Sequence, residues 1–219
     1  MPAPPQASAP APTPGPTRLT LDLAATVRHD GRGGVADDLD TPEGLTAWVR
    51  EHADALPEAL AARRYRADAA GLDRVRAVRS AVRALFARAV LPGAPSPADA
   101  HRLPPPAEAV ARLNEAAAKV STVPVLTWPG GAAPRVRDEP VPAPGPASPD
   151  RRADLLDAAL ARAAHAFLAG PDRQRLRACH APRCVRYFLK EHPRQEWCKP
   201  SCGNRARVAR HHERGRGPA

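Results

Sequence analysis

The 219-residue chain is 43% apolar, enough to bury a core, but only 4% aromatic, so that core must be Ala, Leu and Val, which favours helices over sheets. Its net charge of +10 is one-sided: residues 1–172 carry 20 Lys+Arg and 20 Asp+Glu, whereas residues 173–219 carry 13 Lys+Arg against Glu191, Glu196 and Glu213. No run approaches the ~18 apolar residues of a membrane span, and residues 1–17 lack the basic and Leu-rich regions of a secretory leader. The expectation is therefore a cytoplasmic protein without membrane contact, where clustered cysteines point to metal before disulfides.

The 28 prolines cluster at residues 2–16, 92–106 and 140–149, which read as linkers or loops. Residues 1–17 read as a disordered Pro/Ala-rich lead-in. Residues 19–27 (LTLDLAATV) are helix or strand, and their periodicity does not decide which. Residues 28–40 read as a loop; Gly31, Gly33 and Gly34 lack the spacing of a phosphate cradle, and His29 with Asp30, Asp37, Asp38 and Asp40 reads as a solvated acidic loop. Thr41-Pro42 opens a helix with Thr41 as N-cap and Leu45, Trp48, Val49 and His52 on its buried stripe. The pattern restarts at Pro57 and runs as a helix or helix pair to about Val90. There Leu72, Val75, Val78, Val82, Leu85, Phe86 and Ala89 recur at steps of three and four. Arg74, Arg76, Arg79, Arg83 and Arg88 fall on a solvated or acid-paired face.

One helical turn is expected after Ser96-Pro97, then a helix over 107–118 burying Val110 and Leu113. Residues 120–137 predict a short hairpin turning at Pro129-Gly130-Gly131, with an edge strand marked by Pro124. Ser148-Pro149-Asp150 opens a last long helix, with Leu155, Leu156, Ala159, Leu160, Ala163, Phe167 and Leu168 inside and His165 outside, ended by Gly170-Pro171. No catalytic spacing is visible, and a non-enzyme is expected.

All four cysteines lie near the end of the chain: Cys179-x4-Cys184-x13-Cys198-x3-Cys202. Two close pairs about a dozen residues apart predict one tetrahedral four-thiolate zinc site, structural because it leaves no open position. The segment between the pairs is expected to fold back as a hairpin, with Tyr187, Phe188 and Trp197 packed over the metal. The helix-compatible stretch after Cys202 would carry the last ligand in its first turn, a treble-clef-like arrangement, and would align Arg207, Arg210 and Arg214 on one face.

The stretch W-C-K-P-S-C-G-N-R, from Trp197 to Arg205, resembles the CGNR zinc finger, and Cys179-x4-Cys184 with Tyr187-Phe188 is similar to the same family. The resemblance implies zinc ligation by Cys179, Cys184, Cys198 and Cys202 and DNA binding through basic residues. Leu21-Asp22-Leu23-Ala24-Ala25-Thr26 resembles the opening L-D-F-x-N-T of the ABATE domain that commonly precedes this finger, with Leu23 and Ala25 in place of Phe and Asn.

The resulting expectation is a mainly α chain. Residues 18–171 would form a helical ABATE-like domain with a short β-hairpin, residues 172–214 a small α+β zinc finger, and residues 215–219 a disordered tail. The function expected is that of a bacterial-type DNA-binding transcriptional regulator associated with the nucleoid, with one structural Zn²⁺. Lys199, Arg205, Arg207, Arg210 and Arg214 are the candidate contacts to double-stranded DNA. The helical domain is expected to sense, to dimerise or to recruit a protein. The alternative is a zinc-dependent protein- or RNA-interaction module. The DNA sequence, the effector and the direction of regulation have no counterpart in the residue pattern.

Overall fold

The computed structural model describes residues 15–32, 34–99, 103–131, 133–142 and 148–215. The lead-in and tail expected at residues 1–14 and 216–219, and Gly33, lie outside the described residues. Four helices, α1 (Gly15–Ala25), α3 (Ala69–Ala89), α4 (Pro106–Ala118) and α5 (Pro149–Ala169), pack around one core, and α2 (Pro42–Glu51) closes one side against α3. Phe86 and Phe167 meet at its centre with ring centroids 5.0 Å apart. Burying such a side chain contributes roughly 1.5–3 kcal/mol.

Capping chemistry sets the helix starts. Thr41, Asp68 and Ser148 each accept a backbone N–H through the side chain, from Gly44, Gly71 and Arg151. Helix α1 begins at Gly15, inside the predicted lead-in, and Thr17 is buried with its hydroxyl donating to Asp172 at 3.0 Å. The helix expected from Pro57 starts only at Ala69. Three single 3₁₀ turns (Ala53–Ala55, Glu58–Leu60, Ala62–Arg64) precede it, and Asp68 supplies the cap that the Pro57 reading overlooked. In α4 the buried stripe is Ala109, Leu113 and Ala116, one residue away from the expected Val110, which is exposed. His165 is half-buried.

The expected loop at 28–40 contains a hairpin. Strands β1 (Val27–His29) and β2 (Val35–Asp37) pair antiparallel, and Asp30 closes the turn by accepting the N–H groups of Arg32 and Gly34. The predicted second hairpin is present as β3 (Thr122–Thr127) and β4 (Arg135–Pro140). It is exposed, with Leu126, Trp128 and Val136 in solvent.

The arginines of α3 divide. Arg74 bridges Asp154 and Asp157 on α5. Arg79 and Arg83 are buried and acid-paired, the second of the two alternatives expected for this face. Arg79 grips Asp37 of β2 with both terminal nitrogens and also donates to Thr26. Arg83 is 3% exposed and forms a fork with Asp99, at 2.8 and 3.0 Å. Such buried charges persist because each is paired and its remaining N–H groups find acceptors.

Candidate metal centre and basic helix

The C-terminal segment starts with strand β5 (Leu176–Ala178), which pairs antiparallel with β6 (Tyr187–Leu189). This hairpin brackets the first cysteine pair; it does not lie between the two pairs as the spacing suggested. The bonds Cys179 N–H to Arg186 O and Cys184 N–H to Ala181 O, both 2.9 Å, shape the knuckle at its tip. Arg183 takes a left-handed conformation there, φ 65°. Strand alternation splits the hairpin's faces. Leu176, Ala178, Tyr187 and Leu189 join the core of the helical domain, while Phe188 joins Cys179, Ala181, Cys184 and Cys202 in a separate cluster. Tyr187 therefore does not cover the metal site. Its ring meets Phe86 edge-on at 5.4 Å and its hydroxyl donates to Asp99 at 2.7 Å.

Helix α6 (Pro200–Gly215) supplies the second wall. Pro200 suits a first helical position, and Lys199 O accepts from Cys202 N–H at 3.0 Å. Cys202 thus sits in the first turn, where the positive end of the helix dipole favours a thiolate. Gly203 is buried beneath Trp197; a Cβ there would lie 3.0 Å from the indole, which explains the glycine.

The sulfur atoms of Cys179, Cys184, Cys198 and Cys202 all lie within 4.8 Å of one another, with Cys184–Cys198 at 3.7 Å and Cys198–Cys202 at 3.5 Å. A regular tetrahedron of thiolates at the usual Zn–S distance of about 2.3 Å has sulfurs about 3.8 Å apart. The donor set fits one zinc ion. Thiol hydrogen bonds from Cys184 and Cys198 pull Cys179 down to about 3, whereas Cys198 is pushed well above the ordinary thiol value, chiefly by the proton it shares with Cys179 and Cys184. Without a metal one sulfur ionises readily and its neighbour resists; a divalent ion lets all four ionise together. Among the described residues no other His/Cys/Asp/Glu group is arranged to hold a metal.

The basic candidates separate in space. Lys199, Arg207, Arg210 and Arg214 are exposed. Arg207, Arg210 and Arg214 share a face of α6, with Arg207 donating to Asn204 Oδ1 and Arg210 to Ala206 O. Arg205 is half-buried, and its Nη2 donates to Cys202 Sγ at 3.0 Å. At 3.6 residues per turn it lies roughly 160° round the helix from Arg207, a phase legible in the sequence but not used.

One buried network ties the finger to the helices. Val185, next to Cys184, offers its carbonyl to Ser96 Oγ at 2.9 Å and to Arg83 Nη2 at 3.3 Å, while Arg83 holds Asp99 and Asp99 receives Tyr187. Sequence reasoning missed these positions, since each contact spans about ninety residues or more apart from the local Arg83–Asp99 pair.

Residues 17–171 match the family model of ABATE, described as "Putative stress-induced transcription regulator", and residues 175–215 match that of the CGNR zinc finger. No curated protein matches the chain.

Proposed function

The chain belongs to the ABATE family and carries a CGNR zinc finger after that domain, and on that premise we propose that it is a DNA-binding transcriptional regulator. The observation that carries the reading is the exposed Arg207–Arg210–Arg214 face of α6, on a helix anchored at its start by Cys202, in the segment that holds all the net positive charge. Zinc fixes where the helix points, and the arginines and Lys199 neutralise phosphates. Arginine suits this because its planar fork matches phosphate oxygens and stays charged at all working pH values.

The helical half carries no net charge and is assigned to sensing or to contact with a second protein. In this reading the chain is not an enzyme. Its buried charges Arg79, Arg83, Asp99 and Asp157 are all engaged in ion pairs that hold helices and hairpins together. The protein would work in the cytoplasm on the nucleoid.

The test is competition for the zinc-loaded full chain among duplex DNA, RNA and an acidic polypeptide, followed by selection of genomic fragments. Duplex DNA should compete best, and a Cys198→Ser control should lose the selection. Preferential displacement by RNA or by the acidic polypeptide would replace this reading with an interaction module that does not act on DNA.

A further inference from the structure

We propose that Arg205 is a positioning residue of the metal centre and not a nucleic-acid contact. Its Nη2 lies 3.0 Å from Cys202 Sγ, a charge-assisted N–H···S hydrogen bond. Its Nε is buried without a hydrogen-bond partner, so the guanidinium is withdrawn from water on its inner edge. Arg207, Arg210 and Arg214 are by contrast exposed to solvent. The helix phase agrees. Arg205 lies about 60° round α6 from the buried Cys202, three residues earlier on the same face, whereas Arg207 lies about 140° from it.

The chemistry follows from charge. Four thiolates around Zn²⁺ carry a net −2, packed against Phe188 and Ala181 with little water to screen it. Arg205 places a permanent cation against one sulfur. Its N–H withdraws electron density from Cys202, which favours the metal-bound thiolate over the free, protonated one and fixes the side chain's orientation. Outer partners of this kind are worth about 10–100-fold in metal affinity. The four-residue motif then divides its labour: Cys202 ligates, Gly203 admits Trp197, Asn204 receives Arg207, and Arg205 steadies the ligand.

The inference rests on the zinc-finger assignment. Only one arm of its test uses the proposed DNA binding, so failure of that reading would not disguise failure of this one. Arg205→Met and Arg205→Lys are prepared in the full chain. Zinc affinity is measured by chelator competition, and the cobalt-substituted proteins are compared by absorption. Arg205→Met should lose about 10–100-fold in zinc affinity. Its thiolate-to-cobalt charge-transfer band should move to lower energy, because an unbonded sulfur lone pair is easier to ionise. Arg205→Lys, which keeps a charged donor, should recover most of both. Zinc-saturated Arg205→Met should keep the wild-type slope of log K against log[salt] for duplex DNA. Unchanged affinity and cobalt spectrum would overturn the proposal, whether or not the slope changes. If Arg205→Met does not fold, the neutral Arg205→Gln takes its place: a cobalt band moved to lower energy with the wild-type slope supports the proposal, and a slope reduced in magnitude by about 0.9 with an unaltered spectrum overturns it.

Discussion

Arg83 shows what a single side chain can commit to. It is 3% exposed, forks onto Asp99, donates to Ala24 O and Val185 O, and lies over the Tyr187 ring with its guanidinium carbon 5.3 Å from the centroid. Removing it leaves Asp99 buried with Tyr187 as its one remaining side-chain partner among the described residues. Arg83→Leu should therefore destabilise the chain by about 3–5 kcal/mol, measured by urea unfolding. A loss under about 1 kcal/mol would mean that the pair is not desolvated as described. Arg183 is the opposite case. Its φ of 65° is imposed by the first knuckle, and no described hydrogen bond or ion pair uses its side chain. Glycine adopts that conformation without the roughly 1–2 kcal/mol steric cost. Arg183→Gly should leave the Tm of the zinc-loaded protein unchanged or raised; a fall of several degrees would show that the arginine side chain does work in the knuckle.

At the scale of elements, α1 and α2 are joined by His52. It stacks on Trp48 at 4.2 Å, offers Nδ1 to Trp48 O at 2.8 Å and Nε2 to Asp22 at 3.3 Å. Both partners are acceptors, so the fully protonated ring satisfies both. Burial alone would lower the pKa of His52, but the hydrogen bonds to Asp22 and Trp48 O outweigh it and raise it above 6.5. Burial likewise opposes ionisation of Asp22, but the hydrogen bond and charge of His52, together with Arg18, outweigh it and hold Asp22 below 3.8. The His52 contribution is complete below the unfolded value near 6.5 and is lost as pH rises through the raised folded pKa. The Asp22 contribution is present above 3.8 and is lost as pH falls through its own lowered value. The urea midpoint should accordingly fall as pH rises from about 6 to 8, and His52→Gln should flatten that fall. An unaltered profile in the variant would remove the clamp from the account.

What was legible at this scale was local. Thr41 and Ser148 announced their helices, the Leu72–Phe86 stripe announced α3, and the cysteine spacing announced two knuckles, because each signal lies within a few residues of its effect. The β1–β2 hairpin was not legible. Its strands have three residues each, and Arg79 reaches them from more than forty positions away. Nor could periodicity say whether the arginines of α3 meet water or carboxylates. That depends on Asp37 and Asp99, which belong to other elements. For the same reason Tyr187 looked like a lid on the metal: Tyr187, Phe188 and Leu189 are all buried, and only the placement of α3 and α1 shows which face each covers.

The whole molecule is organised by two facts that pull in different directions: charge separates the helical half from the finger, and the core unites them. Leu176, Ala178, Tyr187 and Leu189 are buried with the helices, and the Val185 carbonyl next to Cys184 is held by Arg83 and Ser96. Zinc binding should therefore stabilise the helical domain as well as the finger. Chelation should lower the thermal midpoint read by helical circular dichroism, in one transition; a helical midpoint indifferent to chelator would show that the shared core carries no coupling.

The charge separation leads to the central claim, that the exposed face of α6 holds duplex DNA through its phosphates. With Lys199, Arg207, Arg210 and Arg214 each neutralising one phosphate, log K should fall with log[salt] at a slope near roughly −3.6. The most direct measurement is that slope for the zinc-loaded full chain beside its Arg207→Ala/Arg210→Ala variant. A variant slope of about −1.8, with zinc content and Tm unchanged, is the predicted result. An identical slope in the two proteins, or a wild-type affinity indifferent to salt, would contradict it.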